Sequence, residues 1–233
     1  MAQVTANVTF ASGKKELGGF FARPEGEGPF PGLVVIHEIF GLTENIKHWA
    51  ERFANEGYAA LAVDLFTGRN HTVCMFSMMR GLLFNSLDHQ GIRDLKATLS
   101  YLEAQPSVDR ERVGAVGYCM GGSLAIAWAC TDTRLKAIAP YYAMNPKPQE
   151  ALNRLCPVVG SYPGKDFTTK AGQQLDLTLN EQGIVHDIKI YPDAKHSFCN
   201  ADRASSYNRD AAEDSWERVT AFFRERILSE ATV

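Results

Sequence analysis

Residues Val113 to Gly122 read VGAVGYCMGG and carry the strongest indication of the fold. A short apolar run typical of a buried strand leads directly into Gly-x-Cys-x-Gly, which begins at Gly117 and ends at Gly121. This is the spacing of a sharp strand–turn–helix motif that presents a nucleophile, with cysteine in the place that serine usually takes. The glycines two residues before and two residues after Cys119, Gly117 and Gly121, leave room for the turn. The alternative is a glycine-bracketed turn that only packs a helix onto a sheet.

Further strands and helices alternate on both sides of this motif. Such alternation predicts βαβ units, and therefore an α/β fold with a mostly parallel central sheet flanked by helices on both faces. We expect one domain spanning residues 1–233, with a hairpin at the sheet edge. The segment 68–86 is rich in Met and Phe and is not assigned to an element. The other predicted strands are Val4–Phe10, Leu17–Ala22, Gly32–Ile36, Tyr58–Asp64, Leu135–Pro140, Cys156–Ser161 and Val185–Tyr191.

The composition excludes several classes of protein. A net charge of −3 with mixed signs gives no reason to expect a nucleic-acid or membrane partner. The first residues, MAQVTANVTF, have no secretory pattern, and no stretch approaches the ~20 apolar residues of a membrane span. We therefore expect a cytoplasmic protein, and a monomer. Its five cysteines cannot all pair with one another, so free thiols are expected, most of them buried and inert.

A base and an acid for Cys119 can be sought after later strands, since the carboxyl ends of parallel strands share one edge. His196 follows the last predicted strand, late in the chain, and Asp166 follows an earlier one across the Pro163-Gly164 turn. Nucleophile, acid and histidine in this chain order form a catalytic triad on such sheets. Asp193 is an alternative acid, but it lies only three residues before the histidine and more readily caps that loop.

The sequence His37-Glu38-Ile39-Phe40-Gly41 follows the Gly32–Ile36 strand. We assign an oxyanion hole to the backbone N–H groups of Ile39 and Met120, because this loop and the first residue after the nucleophile supply those donors in the motif. A carboxylate at Glu38 among apolar neighbours has no evident structural purpose. The alternative for Glu38 is an ordinary surface charge.

These motifs together resemble the dienelactone hydrolase family of α/β-hydrolases. HEIFGL after a strand, GYCMGG at the turn, Gly-Lys-Asp after a later strand and a final His-Ser-Phe match the landmarks of that family in order, over nearly the whole chain. The resemblance implies a Cys119–His196–Asp166 triad with Glu38 close to the sulfur. It also implies that Glu38 keeps the cysteine as an unreactive thiol until substrate displaces it, which protects the thiol from oxidation.

The resemblance further implies that two arginines hold the carboxylate of the substrate, dienelactone, which opens to maleylacetate. One family arginine lies four residues after the histidine, where this chain has Asn200. Arg203 lies nearby, Arg80 in the Met-rich segment is the candidate for the other positive charge, and the departure favours a less charged ester or lactone. Phe40, Phe76, Met78 and Phe198 are further candidate substrate contacts.

The expected reaction is two-step acyl transfer to a small-molecule ester or lactone through a thioester on Cys119. It requires no metal or organic cofactor, and the sequence has neither a P-loop nor Gly-x-Gly-x-x-Gly. One alternative is a broader carboxylesterase or thioesterase. An alternative of another class is a non-catalytic redox sensor in which Cys119 reports oxidant.

Overall fold

The computed structural model describes residues 2–229. Their strands are β1 (Gln3–Ser12), β2 (Lys15–Pro24), β3 (Phe30–Ile36), β4 (Ala59–Asp64), β5 (Val108–Tyr118), β6 (Ala137–Tyr141), β7 (Val158–Pro163) and β8 (His186–Tyr191). They form one sheet in the order β1-β2-β4-β3-β5-β6-β7-β8. Antiparallel pairing is confined to β1 with β2 and β2 with β4, and the pairs from β4 to β8 are parallel.

Helices cover both faces of this sheet, as the alternation of strands and helices predicts. The α-helices are α1 (Glu44–Asn55), α2 (His71–Phe84), α3 (Gln90–Glu103), α4 (Met120–Ala129), α5 (Thr169–Glu181) and α6 (Arg209–Phe223). One apolar core forms under α1 and α6, and the other under α2, α3, α4 and α5. Every residue of α4 is buried, which explains why that helix is apolar all round.

The strand order reverses direction at β3, which creates a topological switch point between β3 and β5. The chain passes from β3 to β4 on one side, and β5 then pairs with β3 on the other side. Ligands of open α/β sheets bind beside the carboxyl ends of the strands at such a point. Glu38 follows β3 and Cys119 follows β5, so both lie at this switch point.

The central strands anchor the site because they are fully buried. Leu33, Val34, Val35 and Ile36 of β3 have no exposed surface, and burying each such side chain contributes about 1.5–3 kcal/mol. The predicted hairpin lies at the sheet edge as expected. The unassigned segment 68–86 contains α2. None of the helices within residues 2–229 has both the length and the apolar character that crossing a membrane requires.

Candidate active site

Cys119 lies on a strained turn between β5 and α4. Its backbone has φ 55° and ψ −115°, a conformation that side-chain-bearing residues rarely adopt. The glycines make the turn possible: a Cβ on Gly117 would lie 2.2 Å from the Gly121 carbonyl oxygen, and one on Gly121 would lie 2.4 Å from the Ile36 carbonyl oxygen. The Cys119 N–H donates to the Tyr141 carbonyl at 3.1 Å, which fixes the turn to β6.

The structure brings Cys119, His196 and Asp166 into one chain of contacts. The Cys119 Sγ lies 3.0 Å from His196 Nε2, and His196 Nδ1 lies 2.7 Å from Asp166 Oδ2. The Asp166 side chain is almost fully buried and also accepts from the Phe167 N–H at 2.7 Å and from Thr168 Oγ1 at 2.6 Å. These bonds hold the carboxylate toward the histidine, whose second nitrogen then faces the sulfur.

Asp193, the alternative acid, is engaged elsewhere. Its carboxylate bonds Lys165 Nζ at 2.8 Å, and its side chain is 83% exposed. The bond to Lys165 lowers the pKa of Asp193. Asp193 is therefore a solvated loop carboxylate, and Asp166 is the acid that contacts the histidine.

The surroundings of Cys119 favour the protonated thiol. Burial raises the pKa of Cys119 to about 12, and the negative charge of Glu38 adds to that rise. A hydrogen bond from the Met120 N–H and the positive charge of Arg203 act in the opposite direction but do not overcome it. Burial and the groups Glu38, Met120 and Arg203 therefore determine what fraction of Cys119 is thiolate before substrate binds.

Glu38 is buried and held by two neutral side chains. Ser197 Oγ donates to Glu38 Oε1 at 2.6 Å, and Asn200 Nδ2 donates to Glu38 Oε2 at 2.6 Å. Both carboxylate oxygens therefore have partners other than the Cys119 thiol. Glu38 influences the sulfur through its charge, not through a hydrogen bond. It is not the surface charge that the alternative interpretation would make it.

His37 organises the loop that carries Glu38. Its ring is fully buried, with Nδ1 2.5 Å from the Glu38 carbonyl oxygen and Nε2 accepting from the Leu65 N–H at 3.1 Å. Burial lowers the pKa of His37, so the ring is neutral and keeps this pair of bonds. The loop after β3 is thereby tied to the loop after β4.

Both residues predicted to supply the oxyanion donors line the cavity that contains Cys119. Met120 is the first residue of α4, so its N–H has no acceptor within the helix. Ile39 lines the same cavity as Cys119, and within residues 2–229 its N–H has no protein acceptor. The arrangement leaves backbone donors available where negative charge would develop on a bound carbonyl.

A cavity of about 480 Å³ opens beside Cys119 and His196. Two predicted substrate contacts, Phe40 and Arg203, line it, with the Arg203 guanidinium 5.0 Å from the Phe40 ring centre. The remaining lining residues are Ile39, Met79, Leu82, Leu83, Met120, Ser123, Tyr142, Met144, Asn145, Lys147, Phe167, Thr168, Ser197 and Ser206.

The other predicted contacts are not among the described residues that line this cavity. Met78 is 3% exposed and packs in the core, while Phe76 and Arg80 point to solvent from α2. The face of α2 toward the cavity instead carries Met79, Leu82 and Leu83. Phe198 is fully buried and packs against Tyr141, Tyr142 and Tyr191, so it supports the histidine loop from beneath.

Two of the cavity residues that sequence reasoning missed bear on the chemistry, Phe167 and Lys147. Phe167 stacks on the His196 ring with centres 5.0 Å apart and an angle of 21°, although the Phe167 side chain is 69% exposed. An apolar aromatic directly after the proposed acid was the available signal. Lys147 lies on a connection without regular structure after β6, and its sequence surroundings gave no signal. Within residues 2–229, no group of three or more His, Cys, Asp or Glu side chains is placed to hold a metal ion.

The sheet order, the strained turn after β5 and the histidine after β8 together define the α/β-hydrolase fold. The family model of the dienelactone hydrolase family matches residues 17–227. The chain belongs to the dienelactone hydrolase family, and it is a carboxylic ester hydrolase.

Similar proteins agree with this assignment. A candidate carboxymethylenebutenolidase of Saccharolobus solfataricus is 33% identical, over 93% of this chain and 97% of that protein. The crystal structure of a candidate dienelactone hydrolase of Klebsiella pneumoniae matches with a TM-score of 0.84 and 28% identity, over 97% of this chain and all of that one. A dienelactone hydrolase-like promiscuous phosphotriesterase, P91, from metagenomic libraries matches with a TM-score of 0.87 and 26% identity, over 97% and 99%.

Proposed function

We propose that the protein hydrolyses small esters and lactones with Cys119 as the nucleophile. The observation that carries this proposal is the contact of 3.0 Å between Cys119 Sγ and His196 Nε2, with Asp166 on the other ring nitrogen. Because Nδ1 donates to the carboxylate, Nε2 is free to accept the thiol proton. The histidine is then the general base, and Asp166 fixes its tautomer and stabilises the imidazolium.

Acylation begins when a substrate carbonyl carbon comes within reach of the sulfur. His196 takes the thiol proton as a C–S bond forms, and the carbonyl oxygen becomes an oxyanion between the Ile39 and Met120 N–H groups. Each such donor contributes about 3 kcal/mol of transition-state stabilisation. The tetrahedral intermediate then collapses: the C–O bond to the leaving group breaks, and His196 returns the proton to the departing oxygen.

Deacylation repeats these steps with water. His196 takes a proton from the water molecule as its oxygen attacks the thioester carbon, and the C–S bond then breaks to release the acid and regenerate the thiol. A thiol is a good nucleophile when the leaving group is also good, so enol lactones and aryl esters suit this site better than amides.

The high pKa of the resting thiol supports general-base catalysis. With its pKa raised to about 12 by burial and by Glu38, Cys119 holds little thiolate at neutral pH before substrate binds. Transfer of the proton to His196 must therefore accompany attack. The same protonation argues against the redox-sensor alternative, because oxidation proceeds through an accessible thiolate.

Dienelactone, the lactone after which the family is named, is one of the proposed substrates. Arg203 lines the cavity and can face the carboxylate of dienelactone, whereas Asn200 is committed to Glu38. Arg203 thus supplies the positive charge that is lost where Asn200 takes the place of one family arginine. Thioesters and neutral esters are the alternative substrates.

Initial rates on dienelactone, p-nitrophenyl acetate and an acyl thioester test this proposal, with wild type, Cys119→Ala and Cys156→Ala compared. Cys156 is a partly exposed cysteine outside the cavity and serves as the matched control. We expect activity to be lost in Cys119→Ala and kept in Cys156→Ala. Turnover of dienelactone that weakens in Arg203→Met would support the carboxylate contact. Equal rates in wild type, Cys119→Ala and Cys156→Ala would reject Cys119 as the nucleophile.

A further inference from the structure

One side of the cavity is a continuous apolar wall. Met79, Leu82 and Leu83 of α2 form it, and Phe40 and Met144 extend it on the neighbouring loops. Leu83 is 55% exposed and Met144 46% exposed, although both are large and apolar. Large apolar side chains gathered around one opening mark a surface that binds an apolar group.

Two α2 residues of this wall, Met79 and Leu83, lie outside the apolar core, whereas Leu82 also packs partly against it. Cys74 and Met78, which are four residues apart, face the core and are buried. Met79, Leu82 and Leu83 have helical spacing as well, but they form a second face that points into the cavity. A helix that only covered the sheet would carry polar side chains on that second face. The second apolar face is therefore available to contact a ligand in the cavity.

Positive charge lies at both ends of this wall. Lys147 and Arg203 line the cavity, and no Asp or Glu is among its described lining residues. Neither cation forms an ion pair within residues 2–229. The Lys147 N–H donates to Ser86 Oγ at 3.1 Å, which places this lysine just beyond the carboxyl-terminal end of α2.

The other end of α2 lies near Arg203. His71, the first residue of α2, packs edge-on against Phe66 with ring centres 4.8 Å apart, and Phe66 is the nearest neighbour of Gly41. Gly41 follows Phe40, over which the Arg203 guanidinium lies. The helix therefore runs along the cavity from the Arg203 side, which is close to Cys119, toward Lys147.

We infer that the preferred substrate is an ester whose acyl group is an extended apolar chain ending in a negative charge, with the chain along α2 and the charge at Lys147. The inference rests on the proposed function, because the acyl group is the part that stays bound to Cys119 through both half-reactions. A cavity of about 480 Å³ lies in the usual range for a ligand of this size. Lys147 is then a specificity-determining residue.

The chain length is tested with the p-nitrophenyl esters of acetate, butanoate, hexanoate and octanoate. We expect kcat/KM to rise by roughly tenfold or more from acetate to octanoate, since each methylene that leaves water favours binding. Leu83→Asn should lower the octanoate-to-acetate ratio of kcat/KM by about fivefold. Phe84→Asn is the matched control, because Phe84 is the next residue on α2, is 82% exposed and does not line the cavity.

The charge is tested with the p-nitrophenyl monoester of octanedioic acid beside p-nitrophenyl octanoate. We expect Lys147→Met to lower the ratio of kcat/KM for the charged over the neutral ester by about threefold to fivefold, the range of an exposed ion pair. Lys14→Met, at an exposed lysine in the β1–β2 turn, should leave that ratio unchanged.

Two results would overturn the inference while leaving the proposed function intact. One is a flat or falling chain-length profile with hydrolysis still dependent on Cys119. The other is an equal charged-to-neutral ratio in Lys147→Met and Lys14→Met. Hydrolysis of the whole series by Cys119→Ala would instead reject the proposed function itself.

Discussion

Asn200 donates a hydrogen bond from Nδ2 to Glu38 Oε2 at 2.6 Å, and both residues are buried. The Asn200 Oδ1 in turn accepts from the Asp202 N–H at 3.1 Å, which fixes the orientation of the amide. A family arginine is implied at this position, where it would serve the substrate. In this chain a neutral side chain fixes the glutamate instead. Within residues 2–229, no cationic side chain contacts the Glu38 carboxylate, and its negative charge acts on the nearby thiol.

Replacing Asn200 tests this bond. Asn200→Ala removes one of two donors to a buried carboxylate, so we expect the free energy of unfolding to fall by about 1–3 kcal/mol. Urea denaturation followed by circular dichroism measures it. Asn180→Ala, at an exposed position on α5, is the control and should change stability by less than about 0.5 kcal/mol. Equal stability of the two variants would contradict a structural role for the amide.

Removing the charge of Glu38 should make the thiol more acidic. Glu38 is the second cause, after burial, of the pKa of about 12 at Cys119, so Glu38→Gln should lower that pKa. A thiolate then forms at lower pH, and the pH profile of alkylation by iodoacetamide shifts to lower pH. Glu44→Gln, an exposed residue at the start of α1, should leave the profile in place. An unmoved profile in Glu38→Gln would show that the charge does not act on the sulfur.

The acid is distinguished from its alternative by a pair of conservative substitutions. Asp166→Asn replaces the acceptor for His196 Nδ1–H and favours the wrong tautomer, so kcat should fall by about 10³- to 10⁴-fold. Asp193→Asn breaks only an exposed pair with Lys165 and should leave kcat unchanged. Initial rates on p-nitrophenyl acetate measure both, and the reverse pattern would make Asp193 the acid.

Phe167 should act on catalysis by positioning His196. Its ring stacks on the imidazole but is 69% exposed, so Phe167→Ala should fold normally. We expect kcat/KM to fall by about two- to tenfold, the value of an aromatic pair, with the larger part in kcat. The control is Phe84→Ala, an exposed aromatic outside the cavity. An effect confined to KM would indicate that Phe167 contacts substrate only.

The sequence predicts those parts of the site that lie at the carboxyl ends of parallel strands. Cys119 and Glu38 directly follow strands that pair in the sheet, so their proximity follows once the sheet is parallel. The glycines around Cys119 predict a tight turn from the sequence. The structure gives the reason, because Gly121 lies too close to the Ile36 carbonyl to accommodate a side chain. The contacts of Asp166 and His196 follow from the same edge of the sheet.

The parts that could not be predicted depend on helix phase and on loops. A segment that is apolar on two faces, such as α2, does not reveal which face meets the core. The sequence suggests Met78 as a substrate contact, whereas its side chain is buried in the core. Lys147 lines the cavity from a connecting segment that is neither helix nor strand, so no hydrophobic periodicity indicates where its side chain lies. The bond between Asn200 and Glu38 joins residues 162 positions apart, and only the folded chain brings them together.

The most direct test of the account is mass spectrometry of the acyl-enzyme. A reaction with p-nitrophenyl octanoate is quenched in acid during the steady state, and the intact protein and its peptides are analysed. We expect one added acyl group per chain, located on the peptide containing Cys119, released by hydroxylamine as a thioester, and absent from Cys119→Ala. An unmodified protein that still turns over, or an acyl group on any other residue, would contradict it.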